Sequence, residues 1–362
     1  MSKQILIESR NGMREIALLD GSRLMAFITE TPGKTEAEQI YLAEADRMVK
    51  GMEACFVRLG GEQTGFLPFS ECREKPRSGD RFLVQVKKPP VGGKAPYLTQ
   101  DISLAGRYVI LTPFSDRRAV SRRVEDEAER KRLLALADRL QRDGCGLVMR
   151  LESAGAPEEM IRDEISTLSE RWAGIQARAG QMATPGLAED RIDALRRLLR
   201  DEHGQVDRIL TDDPASVPDP PVPVEACENP FDLYSVRAKR EKSLQRKVWL
   251  DCGGFLVIDR TEAMTVIDVN SGKFTGGKAG AESTFLKLNR EAAREIARLM
   301  RLRGLGGIVI VDFVDMQSED SRAAVTEEMR AALADDPVKT VIHGFTSLGL
   351  MELTRKKTEE SQ

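Results

Sequence analysis

The stretch from Trp249 to Met316 constrains the fold of this chain more than any other. It contains three short apolar runs, which are Gly254–Asp259, Thr265–Asn270 and Gly307–Asp315. Each run has the length of a strand, is rich in β-branched residues and carries acidic residues at or near its end. Carboxylates that follow buried strands lie at the edge of a sheet, where side chains can converge on one point. We therefore predict a sheet with an acidic edge.

The spacing of the polar residues indicates what this edge could bind. Asp268 and Asn270 are two residues apart, which places both on one face of a strand. Asp312 and Asp315, three residues apart, lie at the end of the third run. Such an oxygen-rich group suits a hard divalent cation such as Mg²⁺. Taken singly, aspartates at strand ends are common as helix caps and turn formers, and a metal here could serve hydrolysis, phosphoryl transfer or structure alone.

A long helix is predicted between the second and third runs, over Glu282–Arg303. Its apolar residues recur on one face and its basic residues on another, which is the pattern of a helix packed on a sheet. A strand–helix–strand connection of this kind implies a right-handed crossover and parallel strands. Asp268 and Asp312 should therefore come together.

Length and composition describe an ordinary soluble globular protein of two or three domains. The chain has 362 residues, of which 41% are hydrophobic and 31% are charged. It contains no apolar run long enough for a membrane span, and its first residues lack the pattern of a signal peptide. We expect a cytoplasmic protein.

Cysteine and histidine usage excludes several classes of chemistry. The five cysteines are scattered without a Cys-x-x-Cys pair, and the only histidines are His203 and His343. A disulfide framework, a zinc knuckle, a Ser-His-Asp hydrolase and a histidine-pair nuclease are all disfavoured. Catalysis would have to rest on carboxylates and a metal.

The net charge of −3 provides no overall attraction for nucleic acid. Basic residues are nevertheless clustered, and local patches determine phosphate binding, although such runs are often only solvated surface. The clusters are Arg117–Arg118, Arg122–Arg123, Arg237–Lys247 and Arg355–Lys357.

The first third of the chain reads as short strands. Residues 1–34 predict a three-stranded meander with hairpin turns at Asn11-Gly12 and Asp20-Gly21. From Gln39 to about Ala105, short strands alternate with glycine-rich turns, which is typical of a small Greek-key barrel, an OB-fold.

Two aromatic residues of this barrel are candidates for RNA contact. Phe56 and Phe66, followed by Lys87 and Lys88, have the character of stacking and phosphate contacts for a single strand. The alternative, which the sequence alone favours, is that one or both phenylalanines fill the barrel core.

The middle of the chain mixes strands and helices. Helices are predicted over Glu125–Arg142, Pro157–Ala179 and Leu187–Asp201. The five prolines of Asp212–Pro223 predict an extended linker. A basic helix is predicted over Leu233–Lys247.

Three segments of the chain resemble the catalytic region of the bacterial ribonuclease E/G family. These segments are Val266–Gly276, Asn289–Arg298 and Leu302–Met316. Weaker similarity to the same family extends over nearly the whole chain, through Gly51–Val57, Gly65–Pro68, Gln100–Tyr108, Ser121–Arg123 and Leu348–Arg355.

The resemblance implies a multidomain α+β and α/β architecture. An OB-fold barrel would be inserted in an RNase H-like fold and followed by a DNase I-like catalytic domain. The implied boundaries are 1–34 for the first RNase H-like part, 35–105 for the barrel, 106–186 for a 5′-sensor-like region, 187–235 for the second RNase H-like part with the proline-rich linker, and 236–362 for the catalytic domain.

The resemblance also implies a function. The chain would be a Mg²⁺-dependent endoribonuclease of RNA processing or decay, with Mn²⁺ as a substitute ion, cutting single-stranded RNA to leave a 5′-phosphate and a 3′-hydroxyl. Asp268 and Asp312 would hold the metal, and Asn270 would orient a carboxylate or the scissile phosphate. Phe56, Phe66, Arg122, Arg123 and Lys273 would contact RNA. The alternative is a non-catalytic RNA-binding scaffold with the same fold.

Three departures from the family pattern modify these expectations. The sensor candidates are Gly106, Ile110 and Arg150, but the hydroxyl residue expected after Arg150 is replaced by Leu151-Glu152-Ser153, and Ser347 stands where a basic residue is expected. Little preference for 5′-monophosphorylated RNA is expected. The family's Cys-Pro-x-Cys zinc link is absent, so we expect no zinc and, at most, a homodimer through the catalytic domain. The RNase H-like part after Asp212 is expected to be trimmed.

Overall fold

The structure is a computed structural model. It describes residues 3–10, 12–30, 35–90, 93–141, 144–189, 194–202, 205–217, 220–272, 281–334 and 336–357.

The chain alternates between strand-rich and helix-containing segments. In chain order, the elements up to residue 99 are β1 (Lys3–Arg10), β2 (Met13–Asp20), β3 (Arg23–Glu30), β4 (Ile40–Val49), β5 (Ala54–Gly60), β6 (Gln63–Pro68), β7 (Arg81–Lys88) and β8 (Tyr97–Thr99). Up to residue 201 they are β9 (Leu104–Ala105), β10 (Val109–Thr112), β11 (Arg118–Val120), α1 (Glu127–Leu140), β12 (Gly146–Met149), α2 (Glu158–Gln181), β13 (Gly186–Glu189) and α3 (Ala194–Asp201).

The remaining elements follow residue 205. The first are β14 (Val206–Thr211), β15 (Val224–Ala226), α4 (Pro230–Leu233), α5 (Val236–Leu244), β16 (Lys247–Trp249) and β17 (Phe255–Arg260). The last are β18 (Met264–Asn270), α6 (Ala281–Leu302), β19 (Gly307–Asp312), α7 (Glu319–Leu333), β20 (Thr340–Phe345) and β21 (Met351–Arg355).

The chain forms two compact units. One unit contains residues 1–32 and 205–362, and the other contains residues 33–204. The second unit is therefore inserted between two parts of the first.

The first unit contains a five-stranded sheet with the order β15-β14-β1-β2-β3. The predicted meander forms its antiparallel half, and β1 and β2 are joined around Gly12 at φ +73°. β14 pairs in parallel with β1, so strands about two hundred residues apart in sequence share one core. Consecutive residues Ile5, Leu6 and Ile7 are all fully buried, which shows that both faces of this strand are covered.

The inserted unit contains a closed barrel. Its strands follow one another in the order β4-β5-β6-β8-β7, and a further pairing of β7 with β4 closes the ring. Five strands close in this way, as predicted for an OB-type barrel. Alternate residues of β5, namely Cys55, Val57 and Leu59, point into the apolar core.

The rest of the inserted unit is a small sheet with two helices. The strands lie in the order β11-β12-β10-β9. Helix α1 begins after Asp126, whose carboxylate accepts the N–H groups of Ala128 and Glu129, and α2 begins after Pro157. Apolar residues of both helices pack in one core with this sheet.

The six-stranded sheet of the first unit has the order β16-β17-β18-β19-β21-β20. Helix α6 buries Leu288, Ala292, Ile296 and Leu299, as its sequence pattern predicts. These residues share one core with the alternate apolar residues of β17, β18 and β19. The residues that alternate with them along these strands therefore face away from that core. The residues of the predicted acidic edge are among these.

Two predicted elements differ from the structure. The helix predicted over Leu187–Asp201 is wrong in its first part, because Gly186–Glu189 is a strand that pairs with barrel strand β4. This segment consequently belongs to the compact unit of the barrel. The basic helix ends at Leu244, and the chain continues as β16. The proline-rich segment leads into β15, which pairs in parallel with β14.

Among the described residues, no helix is both long enough and apolar enough to cross a membrane.

Arg355, the first residue of the C-terminal basic cluster, has a structural role. Arg355 donates from Nε and Nη2 to the two carboxylate oxygens of Asp336, at 2.8 and 3.1 Å, and from Nη1 to the carbonyl of Leu305 at 2.9 Å. Both side chains of the pair are only 3% exposed. Arg355 is thus occupied inside the protein and is not a contact for phosphate.

Because removing one partner of a buried ion pair leaves an uncompensated charge, Arg355→Met should destabilise the first unit by about 3–5 kcal/mol. The matched control is Arg246→Met, since Arg246 makes an equally two-pronged pair with Asp259 but the two side chains are 69% and 51% exposed. That change should cost far less, because solvent screens an exposed pair. Urea unfolding measures the free energy of unfolding of both variants. Equal losses would contradict the conclusion that burial makes the Arg355–Asp336 pair important for stability.

Candidate active site and nucleic-acid interface

Two carboxylates meet at the edge of the six-stranded sheet. Strands β18 and β19 are parallel neighbours, and their register places Asp268 directly opposite Asp312. The side chains are on the face turned away from α6, because Ile267, Val269 and Val311 are buried in the core on the other side. The juxtaposition predicted from the strand–helix–strand pattern is confirmed.

Asn270 completes the group from the same strand as Asp268. Its Nδ2 donates to Oδ2 of Asp268 at 2.7 Å, as the spacing of two residues allows. This contact fixes the orientation of one carboxylate. Of the two predicted tasks for Asn270, it favours orienting a carboxylate.

The electrostatics of the group are unfavourable for the protein alone. Burial, followed by the charges of Asp268 and Asp315, raises the pKa of the Asp312 carboxyl above its ordinary value. The ionised form is therefore disfavoured in the fold, and a cation would relieve the repulsion. Asp315 lies in the loop after β19, close enough for its charge to act on Asp312.

The donor set suits a hard cation that keeps bound water. Across the described ranges, no three His, Cys, Asp or Glu side chains are grouped as metal ligands. Two carboxylates with an amide nearby therefore supply only part of a coordination shell. Mg²⁺ is commonly held by one or two carboxylates, and its remaining positions are filled by water and substrate phosphate.

The loop that carries Asp315 is fixed from behind by α6. Asn289 is fully buried, donates from Nδ2 to the carbonyl of Val314 at 2.7 Å and accepts the N–H of Val314 at 3.1 Å. Glu282 accepts the N–H groups of Gln317 and Ser318, each at 3.2 Å. Sequence reasoning missed both roles, although an asparagine beside the apolar stripe of a helix is a signal for such a contact.

The barrel presents aromatic rings outside its core. Phe56 and Phe66 are half-exposed, and their ring centroids are 5.6 Å apart. Tyr97 continues the row at 6.0 Å from Phe66. The alternative that the phenylalanines fill the barrel core is wrong, because strand alternation places their neighbours Cys55 and Leu67 there.

Cations flank this aromatic row. The guanidinium of Arg47 lies 5.3 Å from the Phe56 ring centroid, and the Lys88 ammonium lies 5.5 Å from that of Tyr97. Lys87 instead pairs with Glu71 at 2.6 Å. A row of rings with cations at both ends matches what a single strand of nucleic acid requires.

The other predicted RNA contacts lie elsewhere. Arg122 and Arg123 are exposed on the turn between β11 and α1, and Arg130 holds this turn by donating to the carbonyls of Ser121 and Val124 at 2.8 and 3.0 Å. Lys273 lies outside the described residues. The roles of these three basic residues stay predictions.

The sensor candidates are close together but are engaged internally. The carboxylate of Glu164 accepts the N–H groups of Arg107, Tyr108 and Val109 at 2.6, 2.7 and 2.9 Å. Successive N–H groups of this kind form an anion-binding nest. A protein carboxylate, which sequence reasoning missed, already fills it, and a Cβ at Gly106 would lie 2.4 Å from that carboxylate.

Arg150 is also satisfied by the protein. Its Nη1 donates to the carbonyl of Gly106 at 2.5 Å, and its Nε lies 3.4 Å from the Glu152 carboxylate. Ser153 is buried, and its hydroxyl donates to the carbonyl of Arg150. Ile110 is held between its strand partners Ala105 and Val148. The guanidinium of Arg150 and the hydroxyl of Ser153 are thus both engaged by groups of the protein itself.

Comparison with known proteins identifies the family of this chain. Residues 103–358 match the Ribonuclease E/G family. Ribonuclease G of Salmonella typhimurium (strain SL1344) is 34% identical over 397 residues, covering 100% of this chain and 81% of the relative. Ribonuclease G of Escherichia coli (strain K12) is 33% identical with the same coverage. Ribonuclease E of Nostoc sp. (strain PCC 7120) is 35% identical over 388 residues, covering 99% of this chain and 56% of the relative.

The family match covers most of the chain, and relatives of this identity align with it from end to end. The matched residues include the carboxylate pair on β18 and β19. The chain belongs to the ribonuclease E/G family.

Proposed function

We propose that this endoribonuclease cleaves single-stranded RNA in a Mg²⁺-dependent reaction that leaves a 5′-phosphate and a 3′-hydroxyl. The observation that carries the proposal is the register of two parallel strands, which sets Asp268 against Asp312 beside Asn270. Family membership supports an endoribonuclease acting in RNA processing or decay.

The described residues fit the metal in number and kind. Asp268 and Asp312 would hold it, and a bound Mg²⁺ would neutralise the scissile phosphate and lower the pKa of a coordinated water. Asn270 fixes the lone pairs of Asp268 by donating to it. Asp315 adds negative charge, which strengthens the attraction for a cation.

The proposed domain arrangement has support from topology. The strand order β15-β14-β1-β2-β3, with an antiparallel half and a parallel half, suits the RNase H-like fold, and the six-stranded sheet with α6 and α7 suits a DNase I-like catalytic domain. The barrel would bind the RNA strand through Phe56 and Phe66. A homodimer through the catalytic domain stays a prediction.

Asp268→Asn and Asp312→Asn should each lower RNA cleavage at least about a hundredfold, because each removes charge at which the transition state is stabilised. EDTA should abolish cleavage, and Mg²⁺ or Mn²⁺ should restore it. The assay follows a short, 5′-labelled, A/U-rich single strand. Neither variant should lower the melting temperature, since each reduces repulsion within the group.

The matched control is Asp259→Asn, a carboxylate on the neighbouring strand that is paired with Arg246. It should retain activity. Binding without cutting by the intact protein under several divalent ions would favour the alternative, a non-catalytic RNA-binding scaffold. Neither binding nor cutting would overturn both functions.

Phe56→Ala and Phe66→Ala should each weaken RNA binding by about 1–3 kcal/mol, the contribution of one stacked base. Fluorescence anisotropy of a labelled RNA, measured in the Asp268→Asn protein, reports the affinity. Leu134→Ala, an exposed apolar residue on α1 of the same unit, is the control and should bind normally. Unchanged affinity in both phenylalanine variants would show that this face of the barrel is not the interface.

RNAs with a 5′-monophosphate and a 5′-hydroxyl should be cleaved with kcat/KM values that differ by less than about tenfold, or about 1.4 kcal/mol. The reason is that Glu164 fills the nest and Arg150 is paired internally. Arg150→Ala should affect both RNAs equally. A larger preference for the monophosphate, lost in Arg150→Ala, would contradict this.

A further inference from the structure

An aromatic pair lies on the catalytic sheet, beside the carboxylates. Trp249 is 59% exposed, although its neighbours in sequence, Val248 and Leu250, are buried. Its ring centroid lies 5.2 Å from that of Phe255 on the adjacent strand. The pair contributes little to the core, so the fold alone does not account for a tryptophan at this position.

Strand register connects this pair to the site. Trp249 is opposite Phe255, and Phe255 is opposite Asn270. Directly opposed residues of antiparallel strands share one face, so both rings lie on the face that carries Asp268. Neighbouring strands are about 4.8 Å apart, which places the Trp249 backbone about 10 Å from that of Asn270.

The backbone after Asn270 holds the Phe255 ring in place. Gly272 has φ +56°, and a Cβ there would lie 2.7 Å from the carbonyl oxygen of Gly253 and 3.3 Å from the Phe255 ring. Phe255 therefore packs closely against the segment that leaves the active-site strand.

A cation belongs to the same group. The ammonium of Lys247 lies 3.6 Å from the Phe255 ring centroid and 4.3 Å from that of Trp249. Beyond this edge strand, Trp249 and Lys247 line a cleft of about 470 Å³. Its other charged lining residues are basic at Arg23, Lys239, Lys242 and Arg298 and acidic at Asp251, Glu291 and Glu295, so basic residues are in the majority. A nucleotide chain leaving the carboxylates across β17 and β16 would thus pass two rings and then three lysines.

We propose that Trp249 and Phe255 form a stacking subsite for a base of the RNA substrate, next to the scissile phosphate, with Lys247 as the partner of a neighbouring phosphate. This proposal rests on the proposed function. Stacking fits because it tolerates any base, and a solvated lysine can leave the rings to meet a phosphate. An RNA strand is favoured as the occupant over a protein surface because the rings are bordered by carboxylates on one side and lysines on the other.

The first test is the steady-state kinetics of Trp249→Ala and Trp249→Phe. Trp249→Ala should raise KM about tenfold, as expected for the loss of one stacked base, and change kcat much less. Trp249→Phe should restore most of the affinity. Ile308→Ala is the control, because Ile308 is 44% exposed on the same sheet but at the opposite end of β19 from Asp312. It should leave KM unchanged.

The second test places the base. A set of substrate RNAs is made in which a single abasic nucleotide occupies each position in turn. The affinity of each RNA is measured for the Asp312→Asn protein with and without Trp249→Ala. At one position close to the cleavage point, the abasic change and Trp249→Ala should not add, because both remove the same contact. Additive effects at every position would overturn the subsite.

The third test measures the solvent accessibility of Trp249 by its fluorescence. The chain has two tryptophans, and Trp172 is buried. RNA added to the Asp312→Asn protein should protect the fluorescence of Trp249 from quenching by acrylamide. Trp249→Phe should remove that protection. RNA that is cut normally without protecting Trp249 would overturn this inference alone, whereas absence of cutting would overturn the proposed function. Protection that grows with protein concentration, without RNA, would assign this face to a second copy of the chain.

Discussion

The parallel pairing of β18 with β19 is the constraint on which the candidate site depends. A parallel pair requires a long crossover, and α6 supplies it while burying its apolar stripe against the sheet. The resulting register places Asp268 directly opposite Asp312 on the neighbouring strand. A shift of one residue would turn one carboxylate into the apolar core, so the burial of Ile267 and Val311 enforces the alignment of charges.

The alignment of like charges is unfavourable by itself, and neighbouring hydrogen bonds offset it. Burial and then the like charges at the edge raise the pKa of Asp312, while Asn270, Asn289 and Glu282 hold the surrounding strand end and loop by hydrogen bonds. Without these contacts, repulsion would let the carboxylates separate. Fixing them in place preserves a position that a cation and a phosphate can fill together.

Surface rings recur on both compact units. The barrel carries Phe56, Phe66 and Tyr97 between cations, and the six-stranded sheet carries Trp249 and Phe255 under Lys247. In both cases the rings lie on the strand face opposite a well-filled core. The segment with the sensor candidates shows the reverse arrangement, because Glu164 and Glu152 neutralise the groups that would attract an anion.

The sequence by itself determined the elements with strong periodicity, which are the meander, the barrel strands and α6. It also determined that Asp268 meets Asp312, because a strand–helix–strand segment makes neighbouring parallel strands. It could not decide which side of a barrel strand faces inward at Phe56 and Phe66, because each parity of β5 and β6 carries at least one large apolar residue. Nor could it decide that residues 186–189 form a strand, since pairing with β4 outweighs their helical pattern. The tertiary structure alone decided that Arg355 is buried against Asp336, that Glu164 fills the nest of residues 107–109, and that Trp249 lies beside the site. These contacts join residues distant in sequence, and only the packing of whole sheets and helices brings them together.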